Sequence, residues 1–454
     1  MCKITKENDS LQRQTENKDE DSQKIQGNKN IPELRFPEFE GEWENISIND
    51  KFEFYSTNSL SRSNLDNNSG DIKNIHYGDI HTKFPTIVDI QKEDVPYVAD
   101  FVPNTKINKY ELCKDGDLLI ADASENYEDI GKTIELNNIQ SNKVIGGLHT
   151  LLLRDKTNNN ALKFNGYYFQ SEKIKHDFKI IANGASVLGI NKKDLKKLYL
   201  KIPSKGEQNK LADFLSVVDK KIGFMEKTLK QNIKEKTYYL QNLFPNENKI
   251  PLIRFSEFND NWQIRKIKEV LNISGRIGFR GYTQKDFVKK GEGALTIGAK
   301  HITSNNKLKL VEPEYISWNK YYESPEIMIQ KGDILLSKTG TIGKVTLINK
   351  EIGEATINPN LVLLNDFKAD RKFLYYLMST YNFKKELLRY STTTSVPMIN
   401  QENINNISIK IPSHDEQIRI VKVLTTIDRK IDLNNKKLNH LKQLKKGLLQ
   451  KMFC

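Results

Sequence analysis

The strings that could do chemistry are few, and most fail on spacing. Gly340-Thr-Ile-Gly-Lys-Val345 and Ile130-Gly-Lys-Thr133 hold the glycine and lysine of a phosphate-binding loop. Neither has the first glycine at the required distance, and the former lacks a hydroxyl residue after its lysine. Asn358-Pro-Asn-Leu361 fits the first two positions of an Asn/Asp-Pro-Pro-aromatic box, but the aromatic that would stack on a flipped base is missing. The histidines, at 76, 81, 149, 176, 301, 414 and 440, are scattered, with no His-x-x-x-His helix and no acidic cluster suited to Mg²⁺. No catalytic constellation and no metal site emerges.

Residues suited to gripping nucleic acid are better grouped. In the second half, Arg276 and Arg280 lie in the Gly-rich string Ser274–Tyr282, and Lys338, Thr339, Thr341 and Lys344 follow an apolar run. Thr394 and Asn400 sit in later polar strings. Arginine pairs bidentately with guanine and asparagine with adenine, while lysine and threonine take phosphates. In the first half the candidates are Arg62, Asn126, Lys132, Asn183, Ser186 and Asn191. Charge separates the halves: the net +13 hides +8 over 250–412 and −4 over 31–203. A basic excess is the usual footprint of a nucleic-acid partner. The first-half loop 124–132 instead carries Glu125, Glu128 and Asp129. Those carboxylates can accept from cytosine N4 but repel phosphate, so this loop either reads bases or faces away from the backbone.

The elements that must position these residues occur twice. Ile31-Pro-Glu-Leu-Arg-Phe-Pro-Glu-Phe-Glu-Gly-Glu-Trp43 returns as Ile250-Pro-Leu-Ile-Arg-Phe-Ser-Glu-Phe-Asn-Asp-Asn-Trp262, an offset of 219. Ile202-Pro-Ser-Lys-Gly-Glu-Gln208 returns as Ile411-Pro-Ser-His-Asp-Glu-Gln417, an offset of 209. Repeat ends are therefore fixed and the middles diverge. Phe36, Phe39 and Trp43, with Phe255, Phe258 and Trp262, read as a hydrophobic clasp packed on each domain. Asp115-Gly-Asp-Leu-Leu-Ile120 and Lys331-Gly-Asp-Ile-Leu-Leu336 read as a turn leading into a buried strand. Ser204-x-x-Glu207 and Ser413-x-x-Glu416 read as capping boxes that open helices. Beyond them Leu215, Val218, Ile222 and Leu229, and Leu424, Ile427, Ile431 and Leu438, keep a heptad spacing that predicts a coiled-coil core. Each helix is expected to run about 38 residues, roughly 57 Å.

No apolar run approaches the roughly 18 residues of a membrane span. Cys2, Cys113 and Cys454 are too far apart for a disulfide framework, which fits a reducing cytosol and a cytoplasmic protein.

The ordered, duplicated motifs resemble the specificity (S) subunits of type I restriction–modification systems. The resemblance covers about 31–454 and rests on four features in each half. These are the Pro-x-x-Arg-Phe openings at 32 and 251, the Gly-Asp turns at 116 and 332, the Ser-Val-x-x-Ile-Asn boxes at 186 and 395, and the Ile-Pro-Ser-x-x-Glu-Gln helix starts. It implies an α+β fold in which two similar mixed α/β target-recognition domains are separated by two long helices forming an antiparallel coiled coil, with pseudo-two-fold symmetry. The expected divisions are a disordered polar extension over 1–30, recognition domains at 31–203 and 250–412, and helices at 204–249 and 413–454. The resemblance further implies that each domain reads half of a bipartite site in double-stranded DNA. The helices would set the spacer and seat two adenine-methyltransferase modification subunits, joined by motor-nuclease restriction subunits. S-adenosylmethionine, ATP and Mg²⁺ would belong to those partners, with no cofactor bound by this chain and no catalysis of its own. A single-chain restriction or modification enzyme with a fused recognition module, or a coiled-coil scaffold without a DNA role, are the competing readings.

Overall fold

The computed structural model describes residues 30–157, 159–245, 250–276, 278–392 and 395–454. They fall into two compact units, one running up to Phe224 and including Leu438–Cys454, the other Met225–Lys437. Apart from Asn30, the extension expected over 1–30 lies outside the described residues.

The two units share one strand plan. In the first, the main sheet runs in the order Phe52–Tyr55, Thr150–Asp155, Leu118–Ala121, Thr133–Asn137 and Ile87–Asp89. In the second it runs Asn272–Ser274, Leu361–Asn365, Ile334–Ser337 and Val345–Leu347. A second, four-stranded sheet in each contains one parallel pair: Lys143–Gly146 on Ile72–Ile75, and Ala355–Ile357 on Gly293–Ile297. The central strands Leu118–Ala121 and Ile334–Ser337 are buried on both faces, which is why they read as continuous apolar runs. Each Gly-Asp turn has a mechanism. Gly116 and Gly332 adopt φ of 87° and 103°, open to glycine, and the next aspartate accepts from a backbone N–H three residues back, at 2.7 Å in both units.

Each repeat is closed by pairing its first and last strands, Glu44–Ser47 with Tyr199–Ile202 and Gln263–Lys266 with Ser408–Ile411. Just beyond, the expected capping box is only half made. Ser204 Oγ accepts the Glu207 N–H at 3.4 Å, but the Glu207 carboxylate does not turn back to the cap. Arg35 Nε and Nη2 donate to it at 2.8 and 2.7 Å, and Arg254 does the same to Glu416 at 2.9 and 2.8 Å. A guanidinium offers two charge-assisted bonds where a cap amide offers one neutral bond. The Pro-x-x-Arg-Phe opening is thus an ionic latch as well as an apolar one. The glutamines that follow tie the helix starts to the domains. Gln208 donates to Pro203 O and accepts from Ala161 N–H; Gln417 donates to Pro412 O and accepts from Asp370 N–H.

Lys205–Asn242 and His414–Lys451 are continuous helices of 38 residues each. In the first unit Leu211, Leu215 and Val218 share a core with Leu448, Leu449, Met452 and Phe453, and Ile222 packs against it. In the second unit Ile420 and Leu424 share a core with Leu243 and Phe244. Of the remaining predicted heptad positions, Ile427, Ile431 and Leu438 are buried and Leu229 is half-buried.

Each unit also contains one polar trio at this packing. Tyr167 Oη donates to Asp219 at 3.0 Å, Lys445 Nζ pairs with Asp219 at 2.6 Å, and the ammonium sits 5.5 Å from the Tyr167 ring centre. In the second unit Tyr376, Asp428 and Lys236 repeat it, with 2.7 Å for both polar contacts and 5.8 Å to the ring. All three positions differ by 209. In both trios the tyrosine and aspartate come from one repeat and the lysine from the other. Asp219→Asn or Lys445→Met alone is expected to cost roughly 1–2 kcal/mol, and the pair less than the sum, in urea unfolding. Additive losses would mean the two groups do not act on each other.

Candidate nucleic-acid interface

The same hydrogen bonds build one end of the central sheet in both units. In the first, Ala121 N–H bonds Lys132 O, Asp122 N–H bonds His149 O, and Ile190 N–H bonds Asp122 O. In the second, Ser337 N–H bonds Lys344 O, Lys338 N–H bonds Asn360 O, and Ile399 N–H bonds Lys338 O. Strand register agrees, pairing Thr150 with Ala121 and Leu361 with Ser337. The loops 123–131 and 339–343, the turns 147–149 and 358–360, and the segments 183–191 and 395–400 therefore meet at equivalent places. This end of each sheet gathers most of the residues singled out from the sequence.

In the second unit Lys338 is half-buried at the strand end, and desolvation lowers its ammonium pKa; among the described residues nothing pairs with that ammonium. Thr339 bridges to Met398, Thr341 is exposed, and Lys344 Nζ donates to Ala299 O at 3.2 Å. Asn400 is exposed but uses its side-chain oxygen to cap the helix Gln401–Asn406, accepting from Asn403 N–H. Arg280 lies 3.5 Å from Glu326. Arg276 does not reach the surface: it is 5% exposed, packs on the Tyr282 ring, and bonds Thr356 Oγ1 and Arg280 O. It thereby links Arg280 and Tyr282 to the strand Ala355–Ile357. Thr394 lies outside the described residues.

In the first unit Arg62 is half exposed and clamps Asp79. Lys132 Nζ donates to His81 O, the counterpart of the Lys344 contact. Asn126 folds the acidic loop by accepting from the Glu128 and Asp129 N–H groups, and Glu128 is paired with Lys179 at 2.9 Å, so part of the loop's charge is neutralised internally. Asn191 caps the short helix Lys192–Leu195, while Asn183 and Ser186 are exposed on the neighbouring hairpin.

The histidines are less scattered than the sequence suggests. Tyr77 has His76, His81 and His149 around its ring, at 4.7, 5.9 and 5.2 Å between centres. His149 Nδ1 lies 3.2 Å from Asp122 Oδ1. Burial, then the Arg62 charge, hold His76 below the usual imidazole range; burial raises Asp122 despite His149. His76, Tyr77, Asp122 and His149 escape a linear reading because no spacing rule joins residues brought together by one parallel and one antiparallel strand pair. Among the described residues there is no group of three His, Cys, Asp or Glu able to hold a metal, and no helix long and apolar enough to cross a membrane.

The family model for the type I restriction modification DNA specificity domain matches this chain twice, over 40–235 and 259–443. The chain belongs to this family. Type I restriction enzyme MjaVIII specificity subunit of Methanocaldococcus jannaschii is 29% identical over 62% of this chain and 68% of its own length. The putative MjaX specificity subunit of the same organism is 25% identical over 92% and 95%. Among solved structures, the S subunit of a type I restriction–modification system from M. genitalium superposes with a TM-score of 0.52, at 15% identity, covering 93% of this chain and 99% of that one. That likeness establishes the shared fold of two mixed α/β repeats with long helices.

Proposed function

We propose that this chain is the DNA-specificity subunit of a type I restriction–modification complex and catalyses nothing by itself. Each unit reads half of a bipartite duplex site through the strand-end surface just described. The two long helices set the unread spacer and seat two modification subunits carrying S-adenosylmethionine, with ATP- and Mg²⁺-dependent restriction subunits joining them. The observation that carries this reading is one backbone framework built twice and lined by different side chains. Two unlike readers on a common scaffold suit a split, asymmetric target. Support for the assembly comes from a second structural likeness, at a TM-score of 0.53 and 16% identity, to a chain from work on complex assembly of the type I system. The test is duplex binding by the chain with its modification subunits across a salt series. Site-specific binding should weaken linearly in log affinity against log salt. Binding equal on all sequences, or S-adenosylmethionine held by the isolated chain, would contradict the proposal.

A further inference from the structure

Resting on that reading, we infer that Asp122 in the first unit and Lys338 in the second are the principal base-selecting residues. Asp122 takes an amino edge (cytosine N4 or adenine N6), and Lys338 a keto edge (guanine O6 or thymine O4). The two positions are the same place in the fold. Each follows the last residue of the central strand, gives its N–H to the turn residue at 149 or 360, and gives its carbonyl to the residue at 190 or 399. The charge is inverted between them.

Neither group has a structural duty large enough to explain it. Among the described residues the Asp122 side chain meets only His149, whose imidazole is half exposed, a pair worth about 1 kcal/mol or less. Lys338 is half-buried with no partner among the described residues. An uncompensated, partly desolvated ammonium at the end of a buried strand lowers stability, so a bound acceptor is the economical account of it. A carboxylate at a DNA surface is opposed by every phosphate nearby, and becomes favourable only when aimed at an exocyclic amine.

The surroundings agree. His149 holds φ of 53°, a left-handed conformation costly for a side chain this size, and its ring leans on Tyr77 beside Asp122. Asn360 has an exposed side chain at the matching turn, next to Lys338. Three residues before Ile190 and Ile399, the residues that bond those carbonyls, stands a valine 57% exposed, Val187 in one unit and Val396 in the other. A common apolar neighbour with opposite charges suits two sites that share a docking mode and differ in the base they accept.

The experiment is selection from a randomised duplex library by the chain assembled with its modification subunits. The wild-type chain should enrich two short blocks. Lys338→Glu should change the preferred base at one position of one block by at least about tenfold and leave the other block intact. Asp122→Lys should do the reciprocal in the other block. Asp122→Asn and Lys338→Met, which fit the same space, should flatten the preference at those positions if the charge reversals do not fold. Unchanged blocks from variants that enrich normally would overturn this inference and leave the specificity reading standing. No enrichment by the wild-type chain would sink both.

Discussion

Arg254→Ala is expected to destabilise the second unit by about 3 kcal/mol, the largest single-residue effect on stability anticipated here. Glu416 is 1% exposed and accepts from Arg254 Nε and Nη2 and from Trp262 Nε1 at 3.2 Å. Removing the guanidinium leaves a buried carboxylate with one neutral side-chain donor, Trp262 Nε1, among the described residues. Such a loss far exceeds that of a surface ion pair, because the desolvation of the surviving partner is no longer offset. Glu416→Gln should recover part of the loss in the Arg254→Ala background, since it removes the stranded charge. The first repeat supplies an internal comparison. Arg35 and Glu207 make the same contact at 2.7 Å, but Trp43 Nε1, though buried, has no partner among the described residues. Trp262→Phe should therefore lose a hydrogen bond that Trp43→Phe does not. Urea unfolding followed by tryptophan fluorescence measures the arginine variants, and circular dichroism the tryptophan ones. A loss below about 1 kcal/mol for Arg254→Ala would show the latch to be ornamental.

Deleting one heptad from each long helix, in matching positions, should abolish modification of the original site and create modification of a shorter one. Seven residues shorten a helix by about 10.5 Å and change its facing by roughly 20°, so the apolar stripe stays nearly in phase. At about 3.4 Å per base pair, the unread spacer should lose roughly three base pairs while both half-sites stay the same. Adenine methylation mapped in cells carrying the variant and its modification partner gives the readout. An unchanged spacer would remove the helices from the task of setting distance. Deletion from one helix alone should abolish modification altogether, because heptad positions such as Leu215 and Leu448 share one core only in register.

The duplication, the turn-strands and the helix starts were all legible in the chain, because each rests on local chemistry: a glycine at positive φ, a proline that ends a strand, a period of three and a half. What was not legible depends on partners far away in sequence. Glu207 fits the capping-box pattern, yet its carboxylate goes to Arg35, 172 residues earlier. Glu135 is fully buried and accepts the Lys163 and Gly166 N–H groups, holding the helix Phe164–Tyr168, whereas the equivalent helix of the second unit is capped locally by Asp370. Burial pushes the Glu135 carboxyl up to about 8. Among the candidate residues, the strand-end position of Lys338 was legible because it follows an apolar run, while the burial of Arg276 was not, because a glycine-rich context does not reveal which way its arginine points. Asp122, His149 and Tyr77 were passed over because only the sheet brings them together.

The most direct test of two separate readers is the adenine methylome of cells expressing this chain with its modification subunits, with and without Lys338→Glu. The account predicts a two-block motif with an unread middle in the parent, and in the variant a change confined to one block. A single contiguous motif, or a variant altered in both blocks at once, would contradict it.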